Sequence, residues 1–212
     1  MPDLNFRIES AGVLEFAAAP SLVFKLRIEN RGEEPIRSIT LGTQIRIAAN
    51  RRSYTPEEKE RLWEVFGPAP LWGEGQQSLL WTHSTVLVPA FMGSALVDMP
   101  VPCTYDFEVT SAKYFHNLEG GEIPLEFLFS GTIFYAGTLG LQVVQISWEK
   151  EARFRLPVHV WKQMMDHYFP NSAWLRLHTD VFDRLYQYKI RKGLPTWEGA
   201  LEGLLRSAEG ED

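Results

Sequence analysis

The chain has 212 residues, 45% of them hydrophobic and 23% charged, and its 27 acidic against 21 basic side chains give a net charge of −6. Such a chain can bury one good core and carry an appendage, and its acidity disfavours a nonspecific phosphate-binding surface, so nucleic acid is not an expected partner. One cysteine excludes an internal disulfide, no apolar run approaches a membrane span, and the N-terminal "MPDLNFRIES" lacks an apolar h-region; a soluble, cytoplasmic protein is expected.

In chain order, period-2 alternation predicts strands over 4–9 and 12–17, then over 21–29, where Leu22, Phe24, Leu26 and Ile28 share one face. Residues 39–47 repeat the pattern with Ile39, Leu41, Ile45 and Ile47, and the two segments are expected to pair antiparallel across the turn residues 30–35. A helix over 55–66 follows in "TPEEKERLWEVFG", with Thr55 as N-cap, Pro56 at the first helical position, Glu58 completing a capping box and Gly67 ending it. Further strands are predicted over 78–88, 94–99, 103–110, 124–136 and 141–148. After about residue 156 the period becomes helical. Val160, Met164 and Tyr168 line one helix that Pro170 stops; Phe182, Leu185 and Tyr186 line a second that ends at Gly193; Thr196 caps a third with Ala200, Leu201 and Leu204.

These elements predict a mainly β fold with C-terminal α: a two-sheet antiparallel β-sandwich, immunoglobulin-like or related, over 1–155, a docked appendage of about three helices over 156–206, and a disordered tail over 207–212. Strand 21–29 contains no proline and is expected to be able to pair at a sheet edge with a second chain.

Chemistry is sparse. On a strand over 103–110, Cys103 shares a face with Tyr105, Phe107 and Val109, while Asp106 and Glu108 point the other way; a thiol among apolar neighbours is inert, so Cys103 reads as core. Asp106, Glu108, Lys113 and His116 form a candidate polar cluster that could do acid/base work if a pocket desolvates them, against the plainer reading of a charged, solvated sheet face. The histidines at 83, 116, 159, 167 and 178 contain no i, i+4 pair and no H-E-x-x-H, so no metal and no cofactor is expected. Arg51, Arg52 and Tyr54, with Trp72 as an exposed loop aromatic, are the candidate partner-binding residues. Trp72, Tyr105 and Tyr114 could instead stack on a small ligand.

The stretches "RRSYTPEEKERLWEVFG", "LWGEGQQSLLWTHSTVLVPAFMGSALVDMPVPCTYDFEV", "KYFHNLEGGEIPLEFLFSGTIFY", "FPNSAWLRL" and "LPTWEGAL" resemble an uncharacterised bacterial domain-of-unknown-function family often encoded in NiFe-hydrogenase gene clusters, from about residue 20 to 205. The resemblance brings no catalytic residues with it. It implies an accessory role in assembly, maturation or electron-transfer scaffolding, with a hydrogenase subunit or maturation factor as partner; one cysteine and scattered histidines do not suit a nickel or iron-sulfur carrier. The expectation is a non-enzymatic protein–protein interaction module, the alternatives being a small-ligand-binding sandwich or an acid/base enzyme built on the Asp106/Glu108 face.

Overall fold

Alternating apolar side chains do build the strands, but which strands meet is decided in three dimensions. The computed structural model describes residues 1–68, 72, 78–104, 106, 109–138, 140–172 and 175–210. One sheet has the order β1 (Leu4–Val13), β2 (Ser21–Asn30), β5 (Ser94–Pro102). The other has the order β4 (Leu79–Val88), β3 (Ile36–Ile47), β6 (Glu122–Gly137), β7 (Gly140–Gln145), with β8 (Glu151–Pro157) also on β6. All described pairings are antiparallel, so the predicted two-sheet sandwich with C-terminal helices is the fold.

Three strand expectations are corrected. The segment 4–9 and the start of the segment expected over 12–17 form one strand, β1, which ends at Val13; a bulge between Ile8 and Ser10 shifts its inward face from even to odd positions. Segments 21–29 and 39–47 lie in opposite sheets: β2 pairs with β1 and β5, whereas β3 pairs with β4 and β6. β2 is therefore a central strand and has no free edge to offer. β5 ends at Pro102, none of the described residues in the strand expected over 103–110 is in a strand, and Thr110–His116 is a helix, α3.

Phe24, fully buried at the centre of β2, meets Phe127 at 5.2 Å and Phe154 at 6.0 Å between ring centroids, and Phe6 stacks on Phe129 at 4.3 Å. Such aromatic contacts add roughly 0.5–1.5 kcal/mol each to the burial of apolar area. At Gly131 the backbone takes φ +131° and an added Cβ would stand 2.0 Å from the Thr40 carbonyl oxygen, so glycine alone lets β6 close on β3 there.

The sandwich is closed at one end by α1 (Pro56–Arg61), α2 (Trp63–Phe66) and α3, which divide the helix expected over 55–66 at Leu62 and add one that the sequence did not announce. α4 (Val158–Tyr168) begins directly after β8, and its Val158, Trp161, Met164 and Met165 are core. By compactness the chain divides at residue 174 into a unit over 1–174 and a second over 175–212. α4 thus belongs with the sandwich and not with the appendage expected over 156–206. The second unit holds α5 (Thr179–Arg191) and α6 (Trp197–Glu209); α6 runs into the tail expected to be disordered over 207–212, of which 211–212 lie outside the described residues. Among the described residues no helix is long and apolar enough to cross a membrane.

Candidate functional site

The richest concentration of polar chemistry lies under the helical cap, where β3 runs out through Ala49–Arg51 into α1. Thr55 and Glu58 form the predicted capping box: the Thr55 hydroxyl accepts from the Glu58 N–H, and the Glu58 carboxylate accepts from the Thr55 N–H, both at 3.2 Å. The same carboxylate accepts from Arg52 at 2.8 Å and from the Glu119 backbone N–H at 2.9 Å, while Arg52 also donates to the Gly120 carbonyl at 2.5 Å. Arg52 lies 5.1 Å over the Tyr54 ring, whose hydroxyl bonds to the Ala49 carbonyl and to the Tyr114 hydroxyl, each at 2.8 Å.

This ion pair is out of solvent, with side-chain exposures of 9% for Arg52 and 2% for Glu58. Burial works against the Glu58 charge, yet the bonds from the Glu119 N–H, Arg52 and Thr55 outweigh it and hold the carboxyl below its ordinary range. Burial raises both tyrosine hydroxyls, and for Tyr54 the neighbouring Tyr114 adds to the rise. A paired, hydrogen-bonded charge of this kind fixes geometry: it ties the 48–58 segment to the 114–120 segment.

Of the expected partner-binding group, Arg52, Tyr54 and Trp72 are turned inward, while Arg51 stays exposed. Arg52 and Tyr54 are spent on the cluster, and Arg51 pairs with Glu126 at 2.9 Å. Trp72, expected to be exposed, keeps 8% of its surface: its indole N–H donates to the Gly67 carbonyl at 2.9 Å and its ring stands edge-on to Tyr54 and Phe66. The tryptophan finds a backbone acceptor and a ring pocket here. Among the described residues the exposed tryptophans are Trp63 and Trp148.

Of the second expected cluster, Asp106, Lys113 and His116 are among the described residues. Lys113 and His116 lie on α3, Lys113 pairing with Glu64 at 3.0 Å. His116 is held below the ordinary histidine range by partial burial first and by the charges of Lys162 and Arg61 next. Asp106 lies ahead of the helix in the chain, its N–H bonded to the Thr104 hydroxyl at 3.1 Å; Tyr105, Phe107 and Glu108 lie outside the described residues. Cys103 is buried, and desolvation pushes its thiol up to about 12, which is the inert core thiol expected. Of the histidines considered for a metal, His159 shares a hollow of about 390 Å³ with Glu119, Lys162, Gln163 and Asp166, while His178 stands at the start of α5.

The second unit differs in kind. α5 and α6 are both amphipathic, and Phe182, Tyr186 and Trp197 gather with centroids 5.2–6.4 Å apart. Only Ala200 is fully buried among the described residues of these helices, and Phe182 and Tyr186 keep 44% and 45% of their surface exposed.

The chain belongs to the family of unknown function DUF6084, whose family model matches residues 1–212. No curated protein matches it in sequence. Solved structures with a similar chain path include the CARDB domain of a Pyrococcus furiosus protein in complex with di-metal ions, at 11% identity over 74% of this chain and 87% of that one with a TM-score of 0.29. Others are a β-glucosidase from Kluyveromyces marxianus, at 10% identity over 73% and 15% with a TM-score of 0.25, and β-glucosidase 3B from Thermotoga neapolitana, at 16% identity over 73% and 17% with a TM-score of 0.26.

Proposed function

We propose that this member of the DUF6084 family is a non-enzymatic interaction module, acting in the cytoplasm as an accessory to the assembly or operation of a NiFe-hydrogenase. The observation that supports an interaction role is the half-exposed apolar stripe of α5 and α6, where Phe182, Tyr186, Ile190, Leu201 and Leu205 all remain open to solvent. Two short amphipathic helices gain little stability from propensity alone, so a surface that covers this stripe stabilises them. The hydrogenase as that partner rests on the resemblance of the "RRSYTPEEKERLWEVFG" and "KYFHNLEGGEIPLEFLFSGTIFY" stretches to a family encoded beside such enzymes.

The test is affinity purification of the tagged full chain from its native host during hydrogen-oxidising growth, with mass spectrometry of what accompanies it. Hydrogenase subunits or maturation factors in stoichiometric amount with the wild type, lost with the F182D/Y186D variant, are the expected result. Equal recovery with that variant would remove the helical surface from the proposal. Recovery of no hydrogenase component with the wild type would remove the hydrogenase.

A further inference from the structure

The sandwich protects its sheet edges unequally. β1 carries Arg7 and a bulge at Glu9; β5 carries Asp98, Pro100 and Pro102; β8 carries Glu151, Arg153 and Arg155. β4 is bulged between Leu80 and Thr82, and its Ser84 hydroxyl donates to the Pro100 carbonyl of β5 at 3.1 Å. These are the usual devices that stop one sheet from adding to another: charge, proline, bulge and cover. β7, "GLQVVQ", has none of them, and among the described residues it pairs only with β6.

Its free edge can be read from the ladder. Ile146 donates to the Gly131 carbonyl at 2.9 Å, so even-numbered residues of β7 bond to β6, and the N–H and C=O groups of Leu141, Val143 and Gln145 point to the open side. The side chains of the same residues lie on the outer face of the sheet, with Leu141 67% and Val143 56% exposed. Across that face the paired rows Gly42–Ser130, Thr40–Thr132–Gln145, Ser38–Phe134–Val143 and Ala136–Leu141 contain no Asp, Glu, Lys or Arg; charge begins at the Gln44–Leu128–Glu151 row and the Arg37 bulge.

We propose that β7 pairs antiparallel with β7 of a second copy of this chain, about a two-fold axis at Val143, joining the two five-stranded sheets into one. The register suits itself: Val143 faces its own copy, and Leu141 faces Gln145 on either side, so each exchanges backbone hydrogen bonds with its opposite. The apolar patch of Phe134, Leu141 and Val143 then continues across the axis. A second copy is the occupant that the charge pattern selects, because two chains of net charge −6 repel wherever charged surfaces meet, and this face spares them that contact.

Sedimentation equilibrium of the full chain up to about 100 µM tests this, since edge pairing of this size is expected to give a dissociation constant of about 10 µM. The expected result is a species of twice the 24.3 kDa chain mass. V143K sets two lysines against each other on the axis and is expected to weaken the dimer about a hundred-fold with an unchanged circular dichroism spectrum. L141K serves the same purpose should V143K fail to fold. Leu87, on β4 at the far side of the same face, is 72% exposed, and L87K is expected to leave the dimer intact. A monomeric wild type at 100 µM, a dimer indifferent to both β7 variants, or dissociation by L87K alone would each overturn the proposal.

Discussion

The capped end of the sandwich and the C-terminal helix pair both gather aromatic side chains, and they use them in opposite ways. Under the cap, Tyr114, Phe115 and Trp161 are buried and contact one another or Tyr54, Phe66 and Trp81, with the hydroxyls and the indole N–H of Trp72 finding partners inside the protein. On α5 the rings of Phe182 and Tyr186 touch each other and Trp197 of α6 but keep nearly half their surface in water. An aromatic excess in a sequence is therefore two signals at once, core filling and surface display, and burial separates them.

The contrast is broken most forcefully by truncating a ring in each region. Tyr114→Ala removes a fully buried ring and its bond to Tyr54 and is expected to lower unfolding free energy in urea by about 4 kcal/mol, whereas Phe182→Ala lowers it by less than about 1 kcal/mol. Comparable losses from the two variants would erase the distinction drawn here.

A smaller effect is expected at the ion pair. Glu58→Ala leaves Arg52 buried without its carboxylate and should destabilise by about 3 kcal/mol, with much of that recovered when Arg52→Met is added. The pH dependence has a definite sign. The folded Glu58 carboxyl is depressed, so its contribution is fully present above the unfolded value near 4.5 and is lost as pH falls through the folded value. The gap in Tm between wild type and Glu58→Gln should hold steady above about pH 5 and narrow below about pH 4. A gap that widens on acidification would contradict this assignment.

The smallest effect is a rate. Cys103, buried and with its thiol raised to about 12, should react with a thiol reagent only as fast as the sandwich opens, and addition of urea should accelerate it in step with unfolding. Prompt reaction in the native protein would place Cys103 at the surface.

What could be read in advance follows the range of the forces involved. The alternation of Leu22, Phe24, Leu26 and Ile28 and the Thr55–Glu58 capping box are local, and both appear as expected. The bulge at Glu9 breaks the period by one residue, so a continuous β1 reads as two strands. The separation of β2 from β3 depends on partners far along the chain, which no local pattern encodes. At the candidate site, Arg52 and Tyr54 were legible as chemistry but not as orientation. Their inward turn depends on the Glu119 N–H, the Gly120 carbonyl and the Tyr114 hydroxyl, which arrive some sixty residues later.

The pairing of β3 with β6 has a consequence for how the protein is made. The Ser130 hydroxyl reaches the Gly42 carbonyl across 88 residues of sequence, and β3 has β6 as its inner neighbour along nearly its whole length. During synthesis β3 emerges early and must wait for β6 before the central pair of its sheet can close. Until then the edge of β3 that takes β6 is without its partner, so the nascent chain depends on the speed of translation, or on a chaperone, to bring it safely through that interval.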